Sequence, residues 1–300
     1  MINMNIALTG ANGSIGRELI PFLRSLGHKV YAISSSIPND GEFHFSYQDL
    51  ITKNIEVNID IFLHLASINS TLSEKEIDKE IRLTKEVLFS LPSLKCKKLI
   101  FFSSAKVYGD NSFAATVHNE LAKLKPMCAY GRAKKLCEEI IEKESSNLGI
   151  YSTIFRLPPV LNQSSASNLG KLIKFSQSRV PIPIPVFAHG FSNQRSFLSF
   201  NNLETIIDFV LEQERLFFQN EIYNVSDDGF ISLSDLLEGA GQKYLFKIPL
   251  KLSNLFFKIP TLNQLLLKLY GNFALDNSKL QTRMNVKLKT TRQSLPIIYS

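Results

Sequence analysis

Apolar residues along the first half of the chain recur in two alternating rhythms. Asn5–Thr9, Lys29–Ile33, Asp60–Leu65 (DIFLHL), Lys98–Ser103 (KLIFFS) and Tyr151–Phe155 are short, largely apolar runs. Between them, Ser14–Leu26 places Ile15, Leu19, Ile20, Phe22, Leu23 and Leu26 at helical spacing, and Ser73–Leu91 and Tyr130–Asn147 follow the same rule. Strands that are apolar along their length and separated by helices predict a parallel sheet covered on both faces. After Arg156 the rhythm changes. Leu157-Pro158-Pro159 interrupts it, Ser164–Ser167 is loop-like and Val180–Val186 is proline-rich. Phe197–Phe200, the helix Asn202–Gln213 and Ile222–Val225 are further α/β pieces able to rejoin the first sheet, and 232–300 reads as helices broken at Pro249 and Pro260. The expected class is α/β. A sheet domain spans 1–157 and is rejoined by 196–226, and a smaller, partly helical lobe is formed by 158–195 and 227–300.

The 300 residues suffice for one large domain or two small ones, and 44% hydrophobic with 20% charged residues is a globular balance. That excludes a disordered, collagenous or coiled-coil chain. The net charge of +7 changes little, because the lysines are dispersed and the densest stretch, Lys279–Arg292, is interleaved with Leu, Met and Thr. A solvated basic face is expected there, with a share in binding an anionic small molecule as the alternative. No context for a nucleic-acid module is present, so no nucleic acid is expected as a partner. Three cysteines without CxxC spacing argue against a disulfide framework or zinc cluster, and five scattered histidines give no metal site. The first residues lack the pattern of a signal peptide, and no apolar run reaches the ~18 residues of a membrane span. Leu245–Tyr270 is rich in Leu and Phe, but Lys247, Lys251, Lys258 and Lys268 interrupt it, so it reads as lobe core or partner surface rather than membrane insertion. A cytoplasmic protein is expected.

Chemistry enters with Thr9-Gly10-Ala11-Asn12-Gly13-Ser14-Ile15-Gly16, which leaves the first strand and opens the first helix. Gly10 permits a sharp turn, Gly13 lets backbone approach a pyrophosphate and Gly16 lets helix and strand pack closely. The phosphates then face the positive end of the helix. A glycine triplet alone is weak, since such turns favour glycine anyway, but the strand–loop–helix context makes it a dinucleotide signal. The second strand ends in Ser34-Ser35-Ser36 rather than the carboxylate that grips the ribose of NAD. Hydroxyls serve either a ribose or a 2′-phosphate, so NAD(P) is expected with a slight lean to NADP; the serines capping a turn is the competing reading.

Ala129-Tyr130-Gly131-Arg132-Ala133-Lys134 opens a later helix, where spacing by four puts Tyr130 and Lys134 on one face. A free phenol titrates near ~10, and an adjacent ammonium favours its phenolate, which suits it to proton transfer. Upstream, Phe101-Phe102-Ser103-Ser104-Ala105 leaves a strand at the end where ligands bind in open α/β sheets.

Taken together, TGxxGxxG, SSAKVYG and YxxxK in this order resemble the extended short-chain dehydrogenase/reductase family of nucleotide-sugar epimerases, dehydratases and reductases. The resemblance covers nearly the whole chain. It implies a Rossmann-type doubly wound parallel sheet with a C-terminal substrate lobe. It also implies Ser104, rather than Ser103, as the catalytic serine beside Tyr130 and Lys134. Gly10, Asn12, Gly13, Ile15 and Gly16 would bind the cofactor, together with Ser34 and Ser35, Tyr130 and Lys134. Leu65 and Ala66 would join them from the family's fourth strand (DIFLHLAS), and Pro158 from the segment past the nicotinamide. On the substrate side Ser104, Asn168 and Arg195 would act, the arginine in RSFLSFNNL gripping a diphosphate. Two departures stand out. Glu80-Ile81-Arg82-Leu83-Thr84 replaces the family's Asn-x-x-Gly-Thr, and Leu161-Asn162-Gln163 replaces Tyr-Gly-Pro.

Family members that eliminate water place a carboxylate just after the catalytic hydroxyl residue, whereas Ala105 and Lys106 stand there in this chain. The resemblance therefore points to hydride transfer at C4 of a nucleotide sugar, expected to be UDP-linked. It leans to a 4-ketosugar reductase of bacterial surface-polysaccharide synthesis, with a UDP-sugar 4-epimerase as the alternative. A non-catalytic NAD(P)-sensing regulator is more remote, because such proteins typically lose the Tyr or the Lys. A homodimer is also implied, paired through Ile77, Ile81, Val87, Leu88, Leu136, Ile140 and Ile141 of the two long helices.

Overall fold

A computed structural model describes residues 3–37, 43–67, 72–114, 116–161, 182–185, 193–213, 219–239, 241, 245–248, 267 and 271–299. Its strands are β1 (Asn5–Thr9), β2 (Lys29–Ile33), β3 (His44–Phe45), β4 (Ile61–His64), β5 (Lys98–Ser104), β6 (Val117–His118) and β7 (Tyr151–Leu157). After them come β8 (Val160–Leu161), β9 (Ile182–Pro185), β10 (Leu198–Ser199), β11 (Gln219–Asn224), β12 (Leu245–Ile248) and β13 (Ala274–Leu275). Seven of these form one sheet in the order β11-β7-β5-β4-β1-β2-β3. Its recorded pairs are parallel, with Ile6 opposite both Val30 and Ile61, and Leu63 opposite Ile100. Strand order reverses between β1 and β4, the crossover that marks a doubly wound, Rossmann-type sheet and leaves a crevice at the strands' carboxyl ends.

The apolar strand runs have their cause in what covers them. α1 (Gly16–Ser25), the short α2 (Tyr47–Ile51), α3 (Ile77–Ser90) and α4 (Ala129–Asn147) connect the strands. Ala7, Ile33, Phe62, Phe101 and Ile154 from the sheet pack with Val87, Leu88 and Leu91 of the α3 region and with Cys137 and Ile141 of α4. Val87, Leu88 and Ile141 are therefore core residues and not available to a partner, which corrects the face drawn from helical spacing. Ser73 begins no helix itself. It forms a capping box with Glu76 over a single turn, Glu74–Glu76, that leads into α3.

The chain separates into two compact units, one of residues 1–109, 123–157 and 204–223, the other of 110–122, 158–203 and 224–300. The expected strand at 197–200 does not join the main sheet. It is β10, and it pairs with β8 in the second unit. The strand expected at 222–225 does join, as β11 at the edge beside β7. Within the second unit β6 pairs with β13 and β9 with β12. α5 (Phe200–Leu211) precedes β11; α6 (Leu233–Gly239), α7 (Ser278–Met284) and α8 (Thr291–Tyr299) follow it. Buried Asp227 ties this unit together, accepting from the Ser199 N–H and hydroxyl at 2.8 Å and from Asn202 and Thr291 at 2.7 and 2.8 Å. Pro249 and Pro260 lie outside the described residues.

Candidate active site

The loop between β1 and α1 closes because Gly10 and Gly16 stand where nothing larger fits. Gly10 sits at φ +76°, and a Cβ there would lie 2.9 Å from the Ala66 backbone nitrogen. At Gly16 a Cβ would come within 2.4 Å of the Gly10 carbonyl oxygen. Gly13 is exposed, its N–H donating to that same carbonyl at 2.9 Å. α1 then begins after Ile15, which supplies no side-chain cap, so the positive end of the helix is open to an anion. Bare backbone and an uncapped helix start fit the dinucleotide pyrophosphate. The close approach of Gly10 to Ala66 also brings the end of β4, with Leu65 and Ala66, to this loop.

Asn12 crosses to the end of β2, where its Nδ2 donates to the Ser36 carbonyl at 2.8 Å and to the Ser36 hydroxyl at 2.9 Å. Ser34 is buried and donates to the Ser36 carbonyl at 2.6 Å, with His44 Nε2 3.1 Å from its oxygen. Its hydroxyl thus serves the turn, and Ser35 and Ser36 are the exposed members of the cluster.

β5 delivers two serines to the strand end with different fates. Ser103 donates to the buried Glu138 carboxylate, which also pairs with Arg156 at 2.7 Å, and Arg156 donates in turn to the Tyr108 hydroxyl at 3.0 Å. Ser104 is 9% exposed and accepts from the Lys106 N–H at 3.2 Å. The start of α4 is then brought in by Gly131, where a Cβ would stand 2.5 Å from the Lys106 carbonyl oxygen. Spacing singled out Tyr130 and Lys134 but not the glycine beside them, whose role is visible only once α4 lies against the segment after Ser104.

Tyr130 is half-buried, and Lys134, one turn on, is buried with its Nζ 6.0 Å from the Tyr130 ring centroid and 4.7 Å from that of Phe101. Facing it from α3, Glu80 sets a carboxylate oxygen 3.1 Å from Nζ, with both side chains 1% exposed. Burial would lower the lysine's pKa, but the Glu80 carboxylate and the Tyr130 phenol outweigh it and hold it raised. Behind this pair, His64 lies between Thr9 Oγ1 at 2.8 Å and Thr84 Oγ1 at 3.3 Å, and Thr84 donates to Cys137 Sγ at 3.3 Å. Burial drops His64 to about 3 and pushes the Cys137 thiol up to about 11, so both are neutral at ordinary pH. Glu80 was visible in the sequence only as a departure from Asn-x-x-Gly-Thr, with nothing to say what it would face.

In the second unit, Arg195 is held by backbone bridges to Ile231 and Phe273, its guanidinium 5.7 Å from the Phe197 ring centroid. Burial pulls it down to about 10, which leaves it cationic at neutral pH. Pro158 follows β7 and is buried, and Asn168 lies outside the described residues.

A glycine-lined phosphate loop ahead of Ser104, Tyr130 and Lys134 on one doubly wound sheet defines an extended short-chain dehydrogenase/reductase. The chain belongs to the NAD dependent epimerase/dehydratase family, whose model matches residues 6–226, and so is an NAD(P)-dependent enzyme of the extended type. It is similar to a probable UDP-arabinose 4-epimerase of Arabidopsis thaliana, with 29% identity over 48% of this chain. The matched stretch spans 38% of that protein's length. The UDP-N-acetylglucosamine 4-epimerase of Bacillus cereus shares the fold, with a TM-score of 0.76 at 17% identity over 99% of this chain and 98% of its own. The UDP-glucuronic acid 4-epimerase of Bacillus cereus, solved with NAD, gives 0.73 at 21% over 99% and 97%. Among the described residues no helix is long and apolar enough to cross a membrane.

Proposed function

We propose that the protein transfers a hydride at C4 of a UDP-linked sugar, acting as a 4-ketosugar reductase of bacterial surface-polysaccharide synthesis. The observation that carries the reading is the grouping of Ser104, Tyr130 and Lys134 in the unit that bears the glycine loop, with Gly131 holding α4 against the segment after Ser104. The reduced nicotinamide supplies the hydride when bound. Tyr130 donates its phenolic proton to the C4 oxygen as the carbonyl is reduced, so no free alkoxide forms, and Ser104 donates a hydrogen bond to the same oxygen. Lys134 holds the nicotinamide ribose and the phenol in register, and Arg195 grips the substrate diphosphate as a planar fork, with Asn168 assigned to the same group. Ala105 and Lys106 supply no extra carboxylate for a dehydration.

A UDP-sugar 4-epimerase is the second reading, favoured by the printed activities of the similar proteins. The same residues would then run the transfer in both directions. NADP is proposed over NAD because hydroxyls rather than a carboxylate end β2, with Ser35 and Ser36 exposed there. A cytoplasmic homodimer is proposed as well. Its support is the apolar surface left on α3 and α4, where Phe89 is 49% and Leu136 38% exposed, with Ile77, Ile81 and Ile140 half-buried. Incubation with a panel of UDP-sugars and UDP-4-ketosugars, following absorbance of reduced cofactor, tests the activity. Net oxidation of NADPH supports the reductase, isomerised sugar without net change supports the epimerase, and neither outcome on any substrate overturns both.

A further inference from the structure

We propose that Glu80 is a positioning residue that sets the direction of proton transfer, by countering the Lys134 charge and so keeping Tyr130 in its proton-donating form. The proposal rests on the hydride-transfer reading above and deepens it. Glu80 and Lys134 face each other from two helices, α3 and α4, in a buried space where a charge is costly unless matched. Among the described residues, other titratable groups also act on this pair. On α4 these are Tyr130 and Cys137, on β4 His64, and on α2 Tyr47, which feels the Glu80 charge. His64 and Cys137 are neutral across the working range, and the Phe101 ring covers Lys134 from β5. The charge beside Tyr130 is therefore a matched pair rather than a lone cation.

A lone buried ammonium would favour the phenolate, the form that accepts a proton and begins an oxidation. A paired ammonium favours it less, and the phenol is what a reduction consumes. In that step the hydride of the reduced nicotinamide adds to the C4 carbonyl carbon, the C=O π pair takes the Tyr130 proton, and the O–H bond of Tyr130 breaks. The cofactor leaves oxidised, the ketone leaves as an alcohol, and water reprotonates the phenolate. An ammonium has three N–H donors, so Glu80 leaves Lys134 at least two for a ribose.

The test is Glu80→Gln, of nearly the same shape and without charge. Two readouts are taken on the full chain: the pH–rate profile for NADPH-dependent reduction of a UDP-4-keto-6-deoxyhexose, and ultraviolet tyrosinate absorbance against pH without cofactor. The tyrosinate signal of each protein is referenced to the same protein carrying Tyr130→Phe. The alkaline limb of the profile and the Tyr130 tyrosinate signal should both move to lower pH, by roughly one unit or more. Glu80→Asp, which restores the charge, should restore the original positions. A purely structural ion pair would alter thermal stability and leave both readouts in place, and that result, or a shift to higher pH, overturns the proposal. Should Glu80→Gln fail to fold, Glu80→Asn puts the residue usual in the family at this position and is read the same way. Absence of any turnover in the unaltered protein would instead sink the hydride-transfer reading, while the tyrosinate titration still decides the role of Glu80.

Discussion

Tyr130 is the residue on which the proposed chemistry turns, and its removal is clean because the ring can stay. Tyr130→Phe deletes one hydroxyl from a half-buried ring, so folding and cofactor affinity should persist. kcat on an identified substrate should fall by roughly 10²–10⁴, the usual scale for a positioned proton donor. Steady-state kinetics alongside fluorescence titration with NADPH checks this; near-full turnover would remove Tyr130 from the mechanism. Arg195 offers a contrasting case, since it stays cationic and its proposed task is shape recognition of a diphosphate. Arg195→Lys keeps charge and loses the fork, so KM for the nucleotide sugar should rise about tenfold or more with cofactor Kd unchanged. Equal weakening of both ligands would argue against a substrate role. Tyr130 was singled out by its four-residue interval from Lys134 on a helix, a local fact, whereas Arg195 was singled out only by family resemblance. Ser103 against Ser104 was not separable locally. Family resemblance pointed to Ser104, and the structure shows Ser103 donating to Glu138, which is itself paired with Arg156, residues 35 and 53 positions away from Ser103.

At the scale of elements, α4 carries the proposed proton donor, and its position depends on a glycine. Gly131 lets the start of the helix rest on the Lys106 carbonyl, 2.5 Å from where a side chain would begin. Backbone oxygen cannot yield as a flexible side chain does, so Gly131→Ala must displace the helix start or the turn after Ser104. The expected result is a folded protein whose kcat falls roughly tenfold to a hundredfold, because small misplacements of reacting groups are costly. Cofactor affinity should fall less, since the glycine loop lies between β1 and α1. Circular dichroism to confirm folding, then kcat and NADPH Kd, makes the comparison; unchanged kcat would show that the close packing does not govern the site. The helices and inner strands were readable from apolar periodicity because each buries a face by itself. Edge and minor pieces were not. β3 and β10 have two residues apiece, and what they pair with is decided by the rest of the fold rather than by their own pattern. The apolar stripe of α3 and α4 likewise looked like a partner surface, although Val87, Leu88 and Ile141 cover the sheet.

For the molecule as a whole, His64 couples folding to pH. It is fully enclosed between Thr9 and Thr84, and burial holds it down to about 3 from the ordinary 6.5. Above pH 6.5 the imidazole is neutral in folded and unfolded chains alike, and it makes no contribution to the pH dependence. Below 6.5 the unfolded chain takes up a proton that the folded chain refuses until about pH 3. Folding stability is therefore lost as pH falls through that window, by up to about 1.4 kcal/mol per pH unit from this one group. His64→Gln keeps a hydrogen-bonding side chain in the site and removes the titration. Urea unfolding at a series of pH values from 7 to 4 should show the variant's stability declining less steeply than that of the unaltered protein. The comparison is one of slopes, since other acid-sensitive groups are common to both proteins and any fixed cost of the substitution shifts only the level. Parallel curves would mean that the histidine is charged or water-accessible in the folded state, and that the polar seam from β1 to the Glu80–Lys134 pair is wet rather than closed.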